Sequence, residues 1–137
     1  MRTRTKILLG IAGILALWIA AIVVVGSAGE VVELTTTDAS GASQKTPLWV
    51  VEHEGSDWLR AGSAEAGWLA RVRANPRVQL ERGGVSTAHR AILVPEATDE
   101  INARMAEKYG LADRLIGILV PGSRGHSMAV RLDPEAP

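Results

Sequence analysis

The chain lacks cysteine and phenylalanine and has one tyrosine among its 137 residues. Without cysteine there is no disulfide, no thiolate nucleophile, no Cys-ligated zinc and no iron–sulfur cluster. Compartment stays open, because a disulfide-free chain is at home on either side of a membrane. Charge is also missing from a long stretch. Arg2, Arg4 and Lys6 are the only charged side chains before Glu30; setting these three aside leaves 12 basic against 15 acidic residues, a balance of −3. An acidic remainder is a poor nucleic-acid binder, which needs a concentrated basic face. Arg71, Arg73, Arg77 and Arg82 cluster in sequence, but with Glu81 nearby and Trp68 as their one aromatic neighbour they read as a solvated face.

Several chemical signatures are absent too. There is no P-loop, no G-x-G-x-x-G and no G-x-S-x-G elbow. His53, His89 and His126 stand far apart with no i, i+4 partner, so no metal site is expected. Nothing in the residues themselves names a catalytic acid or nucleophile.

What is present begins with an apolar run. Ile7 to Val25 is built from Ile, Leu, Ala, Val, Gly and one Trp. At about 1.5 Å per residue it makes roughly 28 Å of helix, close to the hydrocarbon thickness of a bilayer. A soluble core helix of that length would have a polar face. The expectation is one transmembrane helix, with residues 1–28 as basic N-terminus and anchor and residues 29–137 as a folded domain. The competing reading is a cleaved secretory signal, with Gly26-Ser27-Ala28 as cleavage site; the length of the run favours an uncleaved anchor. No basic residue follows the span until Lys45. Positive-inside therefore predicts a single-pass cell-membrane protein with a cytoplasmic N-terminus and an outward domain.

The domain opens with two strands around a polar loop. Val31, Val32, Leu34 and three threonines suit a pleated, half-buried surface, and Leu48 to Val51 form the second strand. Asp38 to Lys45 is the loop, with Gly41 free to take a positive φ. Gly55-Ser56 turns into a third strand, Asp57 to Gly62, and Trp49 and Trp58 are candidates for a cross-strand pair. Gly67 to Ala74 has helical spacing and is stopped by Asn75-Pro76. Arg77 to Glu81 and Val85 to Val94 flank the Gly83-Gly84 turn. Thr98 is expected to cap a helix lined by Ile101, Met105 and Tyr109, which ends at Gly110. Leu111 to Val120 is helical or mixed, Pro121 to Gly125 a loop, and Ser127 to Leu132 a last strand. Six strands with an early short helix and a helical insert predict a mainly β, α+β fold: a small β-barrel.

Particular residues carry a family resemblance: Leu34 to Thr37, Ser40, Gly41, Thr46-Pro47-Leu48, Gly62-Ser63, Trp68 and Ala74-Asn75-Pro76. Their order resembles the deazaflavin (F420)-dependent nitroreductase and quinone reductase family, over roughly Glu30 to Pro134. The resemblance implies a six-stranded split β-barrel of the flavin-binding superfamily and an oxidoreductase using coenzyme F420, or FMN as the alternative, on quinones or nitro compounds. It also implies a homodimer. Carried over residue by residue, Thr36, Thr37, Ser40, Gly41, Ser43, Lys45 and Thr46 would lie on the cofactor's phosphate side, with Ser63 and Trp68 nearer the ring.

The pattern is broken in two places. Where the family's loop reads G-R-K-S-G, Asp38-Ala39 replace the basic residues, leaving Lys45 as the nearby cation. The lysine- and glycine-bearing segment between Ser63 and Trp68 is shortened to Ala64-Glu65-Ala66-Gly67. Both changes disfavour a phosphodiester. They point either to a less anionic ligand, such as a quinone or lipid-like molecule from the membrane, or to a non-catalytic barrel that binds a ligand or partner.

Overall fold

Period-two alternation closes this chain into a barrel. In the computed structural model, which describes residues 2–26, 29–120 and 126–135, the apolar N-terminal run forms α1 (Arg2–Gly26). Strands β1 (Val31–Thr37), β2 (Ser43–His53) and β3 (Ser56–Ala61) follow. Next come α2 (Gly67–Ala74), β4 (Arg77–Arg82) and β5 (Val85–Leu93). A 3₁₀ turn (Pro95–Ala97) leads into α3 (Thr98–Tyr109), α4 (Leu111–Leu119) and β6 (Met128–Pro134). The six strands form a closed barrel in the order β1-β2-β3-β6-β5-β4, every pairing antiparallel. This is the α+β barrel expected from the pattern. The cleavage candidate Ser27-Ala28 and the loop Pro121 to Gly125 lie outside the described residues.

Alternate residues fill the interior. Val32, Leu34 and Thr36 of β1 are buried while their neighbours are more exposed. They meet Val50, Leu59, Leu80, Val130 and Leu132 from other strands, with Trp68, Leu69 and Val72 of α2 closing one end. A second cluster lies outside the barrel, where Ile101, Met105 and Tyr109 of α3 cover Val51, Trp58 and Ala129. Each fully buried Leu, Ile or Val there contributes roughly 1.5–3 kcal/mol of burial.

Three local expectations are corrected. The hairpin loop is shorter than Asp38 to Lys45, because Ser43 to Pro47 continue the ladder opposite Thr37 to Glu33. Proline is tolerated there because that part of β2 is an edge, where no ladder bond needs its missing N–H. Thr98 is no side-chain cap. The 3₁₀ turn runs straight into α3 with Ala97 at the cap position, and Thr98 Oγ1 instead accepts from Ala129 N at 3.3 Å. Trp49 and Trp58 do not pair: Trp58 lies opposite Val51, and Trp49 stacks on Tyr109 with centroids 4.3 Å apart and planes 8° apart.

Candidate functional site

The barrel opens where β2 leaves β3. Their ladder runs from His53↔Ser56 to Val50↔Leu59 and stops, while β2 continues for seven residues paired to β1 on one side only. Trp49 and Arg60 are the first residues past the fork. Between the parted strands and α4 lies a cleft of about 200 Å³ lined by Pro47, Leu48, Trp49, Arg60, Gly62 and Ile116. Ligand pockets usually span roughly 300–1,000 Å³, so this one suits a small ring system rather than an entire dinucleotide-sized cofactor.

The cleft has an apolar lining and a single positive group. Arg60 is held by Asp113 (Nη2 to Oδ1, 2.8 Å) and Asn102 (Nη1 to Oδ1, 3.3 Å), and its Cζ lies 5.9 Å from the Trp49 ring centre. Asp113 is fully buried, and Arg60 supplies a counter-charge to it. Behind Trp49, the Tyr109 hydroxyl donates to Glu30 O at 2.6 Å and accepts from Val50 N at 3.1 Å. Burial pushes the Tyr109 phenol up from its ordinary value, which keeps it protonated as a strut. Glu30 anchors the same corner through Arg82 (2.9 and 3.0 Å) and Lys108 (2.6 Å). Those hydrogen bonds, Arg82 first, hold its carboxyl down at about 2.

The β1–β2 loop is closed on itself. Asp38 Oδ1 accepts from Ser40 Oγ at 2.6 Å, Ser40 N at 2.8 Å and Ala42 N at 3.0 Å. Gly41, at φ +89°, donates its N–H to Asp38 O at 3.1 Å. These are the donors a phosphate would need, and an internal carboxylate already has them. The Ser40 hydroxyl is the chief reason the Asp38 carboxyl lies below its ordinary value. As built, this loop does not fit a phosphate.

The residues named from the sequence separate by strand alternation. Thr36 and Thr46 share the face of Leu34, whereas Thr37, Ser43 and Lys45 point to the opposite face. Thr37 Oγ1 and Ser43 Oγ bond each other at 3.0 Å, and Lys45 approaches Glu33 at 4.0 Å. Ser40 and Gly41 belong to the self-capped loop. Ser63 lies beside the cleft residue Gly62, with its Oγ accepting from Glu65 N at 3.1 Å. Trp68 is packed in the barrel interior, leaving no open ring face for stacking.

Arg71 was assigned to a solvated basic face, yet it reaches back across the barrel end, its Nε 2.7 Å from the buried Thr36 Oγ1. Its terminal nitrogens have no partner among the described residues, so it is a cation at this end with unspent donors. The pattern W-x-x-R on α2 holds the clue, since four residues of helix carry Arg71 to the side of the barrel that Trp68 enters. Trp49, Arg60 and Ile116 were likewise missed as site residues, because a strand fork has no sequence signature.

Larger concavities lie at the other end of β2. One of about 410 Å³ is lined by Glu52, His53, Glu54, Asp57 and His89; another of about 440 Å³ includes Arg104, Glu107 and Lys108. Both are rich in carboxylates and distant from the motif residues. No group of metal-ligating side chains occurs among the described residues.

A closed six-stranded barrel with a forked β2–β3 edge and helices over one side has the split-barrel fold. Solved structures bear this out at the level of fold. They include an F420-H2-dependent reductase (23% identity, TM-score 0.56, covering 74% of this chain and 93% of that one). A second is a FAD-binding protein of Mesorhizobium loti (18%, 0.55, 82% and 86%). A third is HutZ, the heme storage protein of Vibrio cholerae (20%, 0.59, 82% and 87%). No curated protein matches the sequence. Residues 22–113 match the model of the F420H(2)-dependent quinone reductase family, and the chain belongs to that family.

Proposed function

We propose that this chain is a membrane-anchored oxidoreductase, with residues 1–28 as anchor and residues 29–137 as the barrel domain, that receives a quinone-like ring in the split between β2 and β3. The cleft carries the reading: Leu48, Trp49 and Ile116 offer apolar contact to a flat ring. Arg60, fixed by Asp113 and Asn102, has further N–H donors for a carbonyl oxygen and for the negative charge that develops there on reduction. A reduced deazaflavin or FMN, when bound, supplies the hydride. Arg71, with donors left over beyond Thr36, would meet its phosphate, since the 38–42 loop is closed by Asp38. The proton that completes the quinol comes from solvent through the open mouth of the cleft.

The self-capped loop favours a second reading, a barrel that binds the quinone without catalysis. Full-length protein in lipid nanodiscs distinguishes the two. Menadione is expected to quench tryptophan fluorescence in the wild type, with the quenching largely lost in Trp49→Phe. Micromolar binding of F420 or FMN, weakened in Arg71→Ala while menadione quenching persists, supports the enzyme. Quinone binding with neither cofactor supports the binding module. Absence of quinone binding overturns both.

A further inference from the structure

Helix α4 is amphipathic the wrong way round for a helix on a soluble barrel. Its one fully buried residue is a carboxylate, Asp113, directed to Arg60. Leu111 and Ile118 are 68% and 63% exposed. At 100° per residue Leu111, Leu115 and Ile118 form one stripe, and Asp113 falls on the opposite side. A surface helix ordinarily buries such a stripe and shows water its charges.

Two further observations say what covers it. First, α1 packs against α4. The half-buried residues of α1 are Ala21, Ile22 and Val25 at its C-terminal end, while the rest of the described helix is exposed along a run of mean hydropathy 2.9. Helix α4 therefore lies beside the end of the helix fit to cross a bilayer. Second, Arg114 flanks the stripe, exposed, its guanidinium bonded to no described residue. A cation beside an apolar face is the composition of a helix lying in the membrane interface.

We infer that the exposed side of α4, Leu111 and Ile118 with the half-buried Leu115 between them, is seated in the head-group region of the bilayer that α1 crosses. This rests on the anchored reading of α1. It also names the route of the substrate, because Ile116, on the next face of α4, forms a wall of the β2–β3 cleft. With α4 in the interface, the mouth of the cleft opens at the membrane surface, where quinones partition.

The absence of cysteine makes the test direct. Single cysteines replace Leu111, Ile118, Ile14 in α1 and Glu96 on the exposed 3₁₀ turn. Each variant is nitroxide-labelled in full-length protein in nanodiscs, and collision with oxygen is compared with collision with a water-soluble nickel chelate. The expected result is oxygen-dominated relaxation at Ile14→Cys, Leu111→Cys and Ile118→Cys, with nickel-dominated relaxation at Glu96→Cys. Oxygen dominance at Ile14→Cys with nickel dominance at the two α4 sites overturns the inference and leaves the anchor intact. Labels on α4 shielded from both reagents overturn it in favour of a second copy or another protein over the stripe. Nickel dominance at Ile14→Cys defeats the anchored reading itself, and the inference with it.

Discussion

Asp38 shows how one side chain decides what a loop can hold. Its carboxylate accepts three bonds from the loop, so a phosphate must displace an anion as well as find donors. Asp38→Ala frees the N–H groups of Ser40 and Ala42 and removes the charge. Hydrogen bonds to charged groups differ enough in strength that FMN affinity should rise about tenfold. Isothermal titration calorimetry checks this, and equal dissociation constants would mean that the loop lies away from the phosphate. Glu30 is the complementary case, a carboxylate joined to cations from β4 and α3. Its carboxyl is held at about 2 against an ordinary 4.5, so the stabilisation is complete above the ordinary value and disappears as pH falls toward 2. Because the side chain is about a third exposed, Glu30→Gln should cost about 1 kcal/mol at pH 7 after discounting for solvent screening. Thermal melts of both proteins should converge near pH 2; a gap that stays constant with pH would show that Glu30 acts by some means other than its charge.

Among the elements, α4 depends on the pairing of Arg60 with Asp113, whose side chains are 12% and 2% exposed. Asp113→Leu takes the counter-ion from the largely buried Arg60 guanidinium and should cost about 3–5 kcal/mol, while adding Arg60→Met should recover most of that loss. Denaturant unfolding of the two singles and the double provides the cycle, and a double no better than the worse single would refute the coupling. The same elements show what a sequence can disclose. β1, α2 and the buried line Ile101, Met105, Tyr109 were legible because burial imposes a period on each. Gly83-Gly84 was legible because both residues turn with positive φ, +58° and +79°. Leu111 to Val120 reads in sequence as helical or mixed, since a helix with its carboxylate inward gives no ordinary stripe. Of the site, the hairpin frame was legible, but the cleft was not. It arises where the β2–β3 ladder stops, and ladder length depends on how six strands close together rather than on any local window.

For the whole molecule, the proposed anchor makes the side of the membrane that the barrel would occupy decisive for its chemistry. Arg2, Arg4 and Lys6 precede the apolar helix, and Glu30 is the first charge beyond it. Loop cations set orientation through the ease with which they are kept from crossing, so the N-terminus should remain cytoplasmic and the barrel should face outward. An alkaline phosphatase fused after Pro137 is then expected to be active, and a green fluorescent protein in its place to be dark. Moving the three cations to positions just after the helix should reverse both signals if charge alone sets the topology. The result bears on function. An outward barrel would lie away from a cytoplasmic pool of reduced deazaflavin, so the proposed oxidoreductase would need a flavin donor on that side; no FMN binding by such a barrel favours the quinone-binding module. A fluorescent, phosphatase-negative fusion puts the barrel inside, where Arg71 can meet a soluble cofactor, and favours the reductase.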